Sequence, residues 1–298
     1  MAWLEYLLPL IFLAPPCATA LVVIALRHLF TRRLISPIDH KPLREPGQNV
    51  RDRLDIAQTR LFLVGALGPI MVMLPLVYGM GRMLFAPRQD WVEWSLYGLL
   101  CTLAVMIACG LLMRLHYHIT HLRLSLSCAL GVHHTLNEVC HQASLEEQRV
   151  IDLLHDIPGD GFSIGHVVLT HQAIFAITTK GRQRPPYTTA ESPVRVSGER
   201  LLFPHNEERR PLREARRAER WLAAQINRHA SDTIPVYAVL VLPGWQIEHD
   251  DRMGDVSVVN ETGLAKLITE ARAENISIEQ YRRIDRLLRE RLRHDLRP

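Results

Sequence analysis

The chain has 298 residues, of which 48% are hydrophobic and 22% are charged, and its formal net charge at pH 7 is +4. Three runs without a charged side chain lie in the first 113 residues, and the remainder is rich in arginine. This distribution excludes an ordinary soluble enzyme, a disordered chain and a disulfide-stapled secreted module. The five cysteines form no CxxC pair, so neither a disulfide framework nor a thiolate zinc site is predicted.

Each uncharged run is long enough to cross a bilayer, because a helix needs roughly 20 apolar residues to span the hydrocarbon core. The three predicted spans cover residues 6–26, 61–81 and 95–113. The first has no basic residue ahead of it and exceeds the core of a typical signal peptide, so we expect a retained anchor in the lipid bilayer. Pro69 and Pro75 should bend the second.

Basic residues indicate how these spans are oriented. Eight lysines and arginines lie between the first two runs, whereas only Arg82 and Arg88 lie between the second and third. The positive-inside rule therefore predicts a multi-pass protein with its N-terminus outside. It places the linker 27–60 and everything after residue 113 in the cytoplasm. No ionisable residue lies inside a run, which favours an anchor over a transport pathway.

Beyond the third run, the sequence predicts a helical connector over 114–143 and then a mixed α/β domain over 144–270. Helices are predicted over 145–154, 211–226 and 262–271, and strands over 167–169, 174–177, 236–242 and 256–259. A hairpin is predicted over 194–203, with Ser197 and Gly198 at its tip.

The segment 271–298 predicts a basic amphipathic helix that begins with Ser277 and Gln280 in the spacing of a capping box. Apolar residues repeat at helical spacing along one face. The opposite face carries Arg282, Arg283, Arg286, Arg289 and Arg293. Such a face is either simply solvated or docks on anionic lipid or nucleic acid.

Short motifs within 144–270 resemble the NERD, or nuclease-related, domain. In chain order they are GDGFSIGHVV from Gly159, IFAITTK from Ile174, PLREA from Pro211, VLPGW from Val241 and VVN from Val258. NERD domains are grouped with the PD-(D/E)xK nucleases, and several members carry transmembrane helices. The resemblance implies an α/β chain with three N-terminal transmembrane helices, a cytoplasmic PD-(D/E)xK-like mixed-sheet domain and a C-terminal amphipathic helix. It also implies a bacterial inner membrane.

The chemistry of such nucleases defines which residues matter. Phosphodiester hydrolysis uses a metal ion that polarises the phosphate and activates water, and Mg²⁺ prefers carboxylate ligands. The superfamily therefore places an Asp on one strand and a Glu on the next, with a Lys two residues after the Glu on the same strand face. Here the resemblance aligns Gly165 with the Asp and Thr178 with the Glu, and only Lys180 of the trio remains.

These substitutions predict a degenerate nuclease site with no metal ligand set and no cofactor. Its candidate catalytic remnants are Lys180 and Glu147, the latter matching a carboxylate in the family's first helix. The candidate nucleic-acid contacts are Lys180, Arg182 and Arg184. His166, next to the lost Asp, is expected to make a structural hydrogen bond rather than to act in catalysis.

The leading hypothesis is a membrane-anchored NERD-like protein that is not an enzyme and binds nucleic acid or a protein partner at the cytoplasmic face. One alternative is an active Mg²⁺-dependent nuclease whose carboxylates have moved to Asp156, Asp160, Glu147 or Glu214. Another is a structural membrane protein that assembles as a homo-oligomer or with a protein partner. Convergence of carboxylates near Lys180 would favour the nuclease.

Overall fold

The computed structural model describes residues 44–85, 91–145, 151–183, 193–228, 234–249, 255–270 and 276–295, together with seven positions of the segment 14–25. The chain divides into two compact units. The helical unit comprises Met1–Asp39 and Arg53–His121, and the α/β unit comprises His40–Asp52 and Leu122–Pro298.

Two long helices, α1 (Gln48–Phe85) and α2 (Trp91–Leu145), contain the predicted spans 61–81 and 95–113. Both helices are long and apolar enough to cross a membrane, judged by length and composition. Many large apolar side chains on them are exposed, as a lipid-facing helix requires. The predicted span 6–26 lies outside the described residues except for the seven positions, all of which are helical.

Both long helices are continuous where the sequence predicted a bend or an element boundary. Pro69 and Pro75 lie inside α1, which runs through them. The predicted connector 114–143 is the C-terminal part of α2, whose 55 residues form one helix with the third run. A membrane helix tolerates internal prolines because neighbouring groups satisfy the freed carbonyls.

The α/β unit contains two sheets and three further helices. The strands are β1 (Asp152–Pro158), β2 (Ser163–Leu169), β3 (Ile174–Thr179), β4 (Val194–Ser197), β5 (Arg200–Phe203), β6 (Asn206–Glu208), β7 (Val236–Val241), β8 (Ile247–His249) and β9 (Val256–Val259). The helices are α3 (Arg210–Asn227), α4 (Glu261–Glu270) and α5 (Ile278–Asp295). The larger sheet has the order β1-β2-β3-β7-β9, and the smaller has the order β6-β5-β4-β8.

The larger sheet is mixed, with antiparallel and parallel halves. Strands β1, β2 and β3 pair antiparallel, whereas β3, β7 and β9 pair parallel. Helix α3 follows β3 and the smaller sheet's hairpin strands, and the chain then returns to β7 alongside β3. A parallel neighbour requires such a long crossover, which is why the helix lies between these two strands in sequence.

Helices cover both faces of the larger sheet. On one face, α3 and α5 pack on β1, β2 and β3, with Leu222 and Leu288 among the buried side chains. On the other face, the C-terminal part of α2 and helix α4 pack on β2, β3 and β7 around Leu136 and Phe175. The smaller sheet packs on the start of α3 and on β7 and β9. The core therefore has an α/β/α arrangement with an added sheet.

Most predicted elements of this unit are confirmed. The strands and helices predicted between residues 167 and 271 lie within four residues of their predicted bounds, and the hairpin turns at Gly198 with a φ of +54°. The capping box is confirmed: the Ser277 amide donates to Gln280 Oε1 at 3.0 Å, and the Gln280 amide donates to Ser277 Oγ at 3.2 Å. The C-terminal helix is a layer of the core, since its apolar face is buried against the sheet.

The helix predicted over 145–154 is wrong. Helix α2 ends at Leu145, and the edge strand β1 begins at Asp152 and pairs with β2. The apolar residues of this short stretch fit either period, so pairing with β2 decides the conformation.

Candidate functional site

The two positions at which the predicted site lacks a carboxylate lie on neighbouring strands. His166 on β2 pairs with Ile177 on β3. That pair is the last of the β2–β3 register, and Gly165 and Thr178 adjoin it, one on each strand. Side chains at these two positions could therefore approach one metal ion, although neither residue supplies a carboxylate.

Lys180 follows β3 directly and is held by both its backbone and its side chain. Its amide donates to the Val241 carbonyl at 3.0 Å. Its ammonium forms an ion pair with Glu214 on α3, with 2.5 Å between Nζ and Oε2. About a third of each side chain is exposed, at 32% and 33%. The remaining lysine of the predicted trio is thus neutralised by a carboxylate of the same unit.

Glu214 has a second cationic partner, which fixes its ionisation. Arg210 Nε donates to Glu214 Oε1 at 2.8 Å. Burial by itself would raise the pKa of Glu214, but Lys180 and Arg210 together outweigh it and lower the pKa below its ordinary value. Glu214 is therefore a carboxylate with both oxygens engaged.

Arg182 makes a two-pronged contact with Glu208 on β6. Its Nε donates to Oε1 at 2.9 Å, and its NH2 donates to Oε2 at 2.5 Å. Both side chains are largely buried, with exposed fractions of 27% and 18%. This planar pairing ties the guanidinium to the smaller sheet, so Arg182 does not present a free charge to a phosphate. The sequence prediction missed Glu208 because its contact with Arg182 spans 26 residues.

Asp156 and Asp160, which the alternative hypothesis offers as relocated ligands, are engaged elsewhere. Asp160 accepts a hydrogen bond from Trp221 Nε1 at 3.1 Å, and its other oxygen lies 3.7 Å from Arg291. Asp156 is buried, and its Oδ2 accepts from the amide of Asn49 at 3.3 Å, in the first turn of α1. Of the described carboxylates that were proposed to move, only Glu214 meets Lys180.

Asp156 acts as a helix cap supplied by a distant strand. Its carboxylate accepts a hydrogen bond from a backbone amide at the start of α1, and its carbonyl accepts one from the Arg44 guanidinium at 2.9 Å. Asn49 also donates from Nδ2 to Ser163 Oγ at 2.9 Å. Burial raises the pKa of Asp156, and the hydrogen bond from Asn49 and the charge of Arg44 oppose that rise. These contacts fasten the residues that precede α1 to the β1–β2 pair.

Three histidines form a cluster between α2 and the sheet, which no sequence pattern predicted. His155 and His166 are cross-strand partners on β1 and β2, with 2.9 Å between their Nδ1 atoms. His133 on α2 lies edge-on to His155, with ring centroids 4.7 Å apart. His166 has no exposed surface, and its Nδ1 makes the expected hydrogen bond, to His155. Burial lowers the pKa of His155 to about 4 and that of His166 to about 3, so both rings are neutral at pH 7.

Glu147 and Arg184 lie outside the described residues. Within the ranges that the structure describes, no group of three His, Cys, Asp or Glu side chains could hold a metal ion. The described residues at the predicted site therefore do not fit Mg²⁺, because one carboxylate held by two cations is not a ligand set. The site can bind through polar contacts, but its described groups do not assemble a hydrolytic centre.

Comparison of the chain with protein-family models, with curated proteins and with solved structures found no match.

Proposed function

We propose that the chain is a membrane-anchored, NERD-like protein that does not hydrolyse nucleic acid and binds a protein partner at the cytoplasmic face. The observation that carries the proposal is the ion pair between Lys180 and Glu214, beside a strand pair that lacks both carboxylates. The lysine that a nuclease would aim at water or phosphate is instead neutralised within the unit.

The placement of the two substituted positions supports the resemblance behind this proposal. Gly165 and Thr178 lie on neighbouring strands and adjoin the cross-strand pair His166 and Ile177. Larger side chains at these positions could therefore approach one metal ion. The order of the motifs and the placement of these positions agree with each other.

Charge favours a protein over a nucleic acid as the partner of this site. Residues 122–298 carry 24 lysines and arginines against 24 aspartates and glutamates, so this part of the chain has no net charge. Lys180 and Arg182 are both paired with carboxylates. Nucleic-acid binding draws mainly on unpaired cations, and the two cations of this site that the structure describes are both paired.

Membrane anchoring is proposed from the two long apolar helices together with the basic residues around them. The spans 6–26, 61–81 and 95–113 give a multi-pass chain with its N-terminus outside and its α/β unit in the cytoplasm. A bacterial inner membrane follows from the resemblance. The described parts of α1 and α2 support the second and third spans.

A second candidate function is an active Mg²⁺-dependent nuclease, and one observation favours it. Glu214 lies beside Lys180, as a relocated ligand would. It would need at least one further carboxylate, because Mg²⁺ takes octahedral oxygen coordination. This candidate makes a prediction opposite to that of the proposal in a cleavage assay.

The test is cleavage of labelled single-stranded and duplex DNA and RNA by the full chain in detergent, with Mg²⁺ or Mn²⁺. We expect no cleavage by the unaltered chain. The informative variant is Gly165→Asp with Thr178→Glu, which restores the two carboxylates. A Cβ at Gly165 would lie 3.6 Å from the Ile177 carbonyl, which is an ordinary van der Waals contact. The matched control is Gly165→Asn with Thr178→Gln, which has the same size and no charge.

The proposal predicts that the carboxylate variant binds or cleaves the nucleic acid in the presence of the metal ion. Neither the control variant nor the unaltered chain should do so. Cleavage by the unaltered chain that Lys180→Ala abolishes would overturn it and establish the nuclease. A gel shift with the same nucleic acids measures whether the chain binds them without cleaving them. Retention that disappears in Lys180→Ala with Arg182→Ala would assign nucleic acid to this site.

A further inference from the structure

The two helices that cover one face of the sheet, α3 and α5, expose an almost purely cationic surface. Every exposed charged side chain of α3 is an arginine: Arg210, Arg213, Arg217 and Arg220. Helix α5 exposes Arg282, Arg283, Arg286, Arg291 and Arg293, against Glu279 and Glu290. We call these nine arginines the arginine face.

The two helices present these arginines on the same side of the unit. Both bury their apolar faces in one core cluster, through Leu222 of α3 and Leu288 of α5. They also meet directly, since the Arg291 guanidinium lies 5.3 Å from the centre of the Trp221 ring. The two helices therefore cover neighbouring parts of one side of the sheet, and Asp160 contacts both of them, through Trp221 and Arg291.

Most arginines of the arginine face have no ion-pair partner among the described residues. Arg210 pairs with Glu214, Arg217 donates to the Asp160 carbonyl, and Arg291 lies near the Asp160 carboxylate. The other six make no ion pair within the part of the chain that the structure describes: Arg213, Arg220, Arg282, Arg283, Arg286 and Arg293. These six differ from Lys180 and Arg182, which are neutralised at the candidate site.

The charge distribution is asymmetric rather than basic overall. Residues 122–298 carry equal numbers of basic and acidic residues, so the excess on the arginine face is balanced elsewhere. A neutral unit does not attract a distant polyanion strongly, because screening limits such fields to about 8–10 Å. A cationic patch on a neutral unit acts on an anionic surface that another part of the chain already keeps near.

We infer that the arginine face docks on the phosphates of anionic phospholipids in the membrane to which the chain is anchored. The candidate spans in α1 and α2 keep the unit close to a bilayer, which raises the effective concentration of its phosphates. Arginine suits phosphate oxygens because its guanidinium donates in a planar fork. Among the residues of both helices whose exposure the structure describes, no exposed side chain is aromatic: Trp221 is half-buried and Tyr281 is buried. This inference goes beyond the proposed function and does not depend on whether the nuclease site is active.

The experiment is arginine footprinting of the full chain in nanodiscs. One set contains only phosphatidylcholine, and the other contains about one-third phosphatidylglycerol. Phenylglyoxal modifies accessible arginines, and mass spectrometry gives the rate at each position. The six unpaired arginines should react about fivefold more slowly on the anionic discs, since each cation near such a surface is held by roughly that factor. Arg195 and Arg200, exposed on the smaller sheet, serve as internal controls and should not change.

A pair of variants separates this docking from general electrostatics. Arg282→Gln with Arg286→Gln should remove the protection of Arg213, because the patch binds as one surface. Arg195→Gln with Arg200→Gln removes the same charge elsewhere and should leave it intact. Salt near 1 M, where the Debye length is about 3 Å, should abolish protection in every protein that shows it.

Two outcomes would overturn the inference. Equal modification rates on neutral and anionic discs would show that the face is simply solvated. Protection on neutral discs by added duplex DNA, without protection by phosphatidylglycerol, would assign the face to nucleic acid. Neither outcome bears on cleavage, so failure here is distinguishable from failure of the proposed function.

Discussion

Acidification should destabilise the α/β unit through the pair His155 and His166. In the unfolded chain each histidine titrates near its ordinary pKa of 6.5, whereas burial lowers the folded values to about 4 and about 3. The unfolded state therefore binds more protons below pH 6.5. Stability is fully present above pH 6.5 and is lost as the pH falls towards the folded pKa values.

The size of this loss follows from proton linkage. One pH unit between the two pKa values changes the free energy of unfolding by about 1.4 kcal/mol per group. From pH 7 to pH 5, two such groups would give up to about 4 kcal/mol. His155 is only partly buried, and the two rings share one hydrogen bond, so we expect about 2–4 kcal/mol.

The assay is urea unfolding of the full chain in a non-ionic detergent at pH 7 and pH 5. The fraction of the α/β unit that a protease cleaves reports the fraction unfolded. His155→Gln with His166→Gln should flatten the pH dependence, because an amide keeps hydrogen bonding without titrating in this range. His249→Gln alters an exposed histidine and is the matched control. An equal free energy of unfolding at both pH values, or an unchanged pH dependence in the double variant, would refute the reasoning.

Three further predictions concern the packing and the contacts. Asp156→Ala should lower the free energy of unfolding by about 1–2 kcal/mol through loss of the cap on α1, and a loss no larger than that of Asp156→Asn would speak against capping. Leu288→Ala should cost about 2–5 kcal/mol in urea unfolding, whereas Ile278→Ala, at an exposed position, should stay within about 0.5 kcal/mol. Similar losses for both would mean that α5 is not a core layer. A double-mutant cycle on Lys180 and Glu214 should give a coupling of at most about 1 kcal/mol, because the pair is a third exposed, and a larger coupling would contradict that screening.

Local pattern was sufficient to predict most elements of the α/β unit. The continuous apolar run before Pro243 gave β7, and the pair Ser277 and Gln280 located the start of α5. The residues that carry these signals lie within a few positions of the element that they predict. The edge strand β1 was missed because its conformation is set by pairing with β2, which a local window does not contain.

The candidate site shows the same division. The order of the motifs singled out Gly165, Thr178 and Lys180, and the structure places Gly165 and Thr178 on neighbouring strands, with Lys180 directly after the second. The partners that neutralise the cations were not predictable, since Glu208 and Glu214 lie 26 and 34 residues from Arg182 and Lys180. Sequence spacing cannot report which distant carboxylate a folded chain brings to a given cation.

The buried histidine cluster and the exposed arginine face also depend on contacts between residues that are distant in sequence. His155 and His166 look like isolated residues in sequence, and only cross-strand pairing makes them partners. The arginines of α5 were visible in the sequence. That they lie on the same side of the sheet as those of α3 follows only from the packing of both helices in one core cluster. Packing therefore decides which charges act together.

The most direct test of the central claim is a Mn²⁺ titration of the full chain, followed by electron paramagnetic resonance of the free ion. The unaltered chain, which has Gly165 and Thr178, should leave the ion free, whereas Gly165→Asp with Thr178→Glu should bind it. Stoichiometric binding by the unaltered chain that is lost in Glu214→Gln would contradict the account, because it would show a relocated metal site beside Lys180.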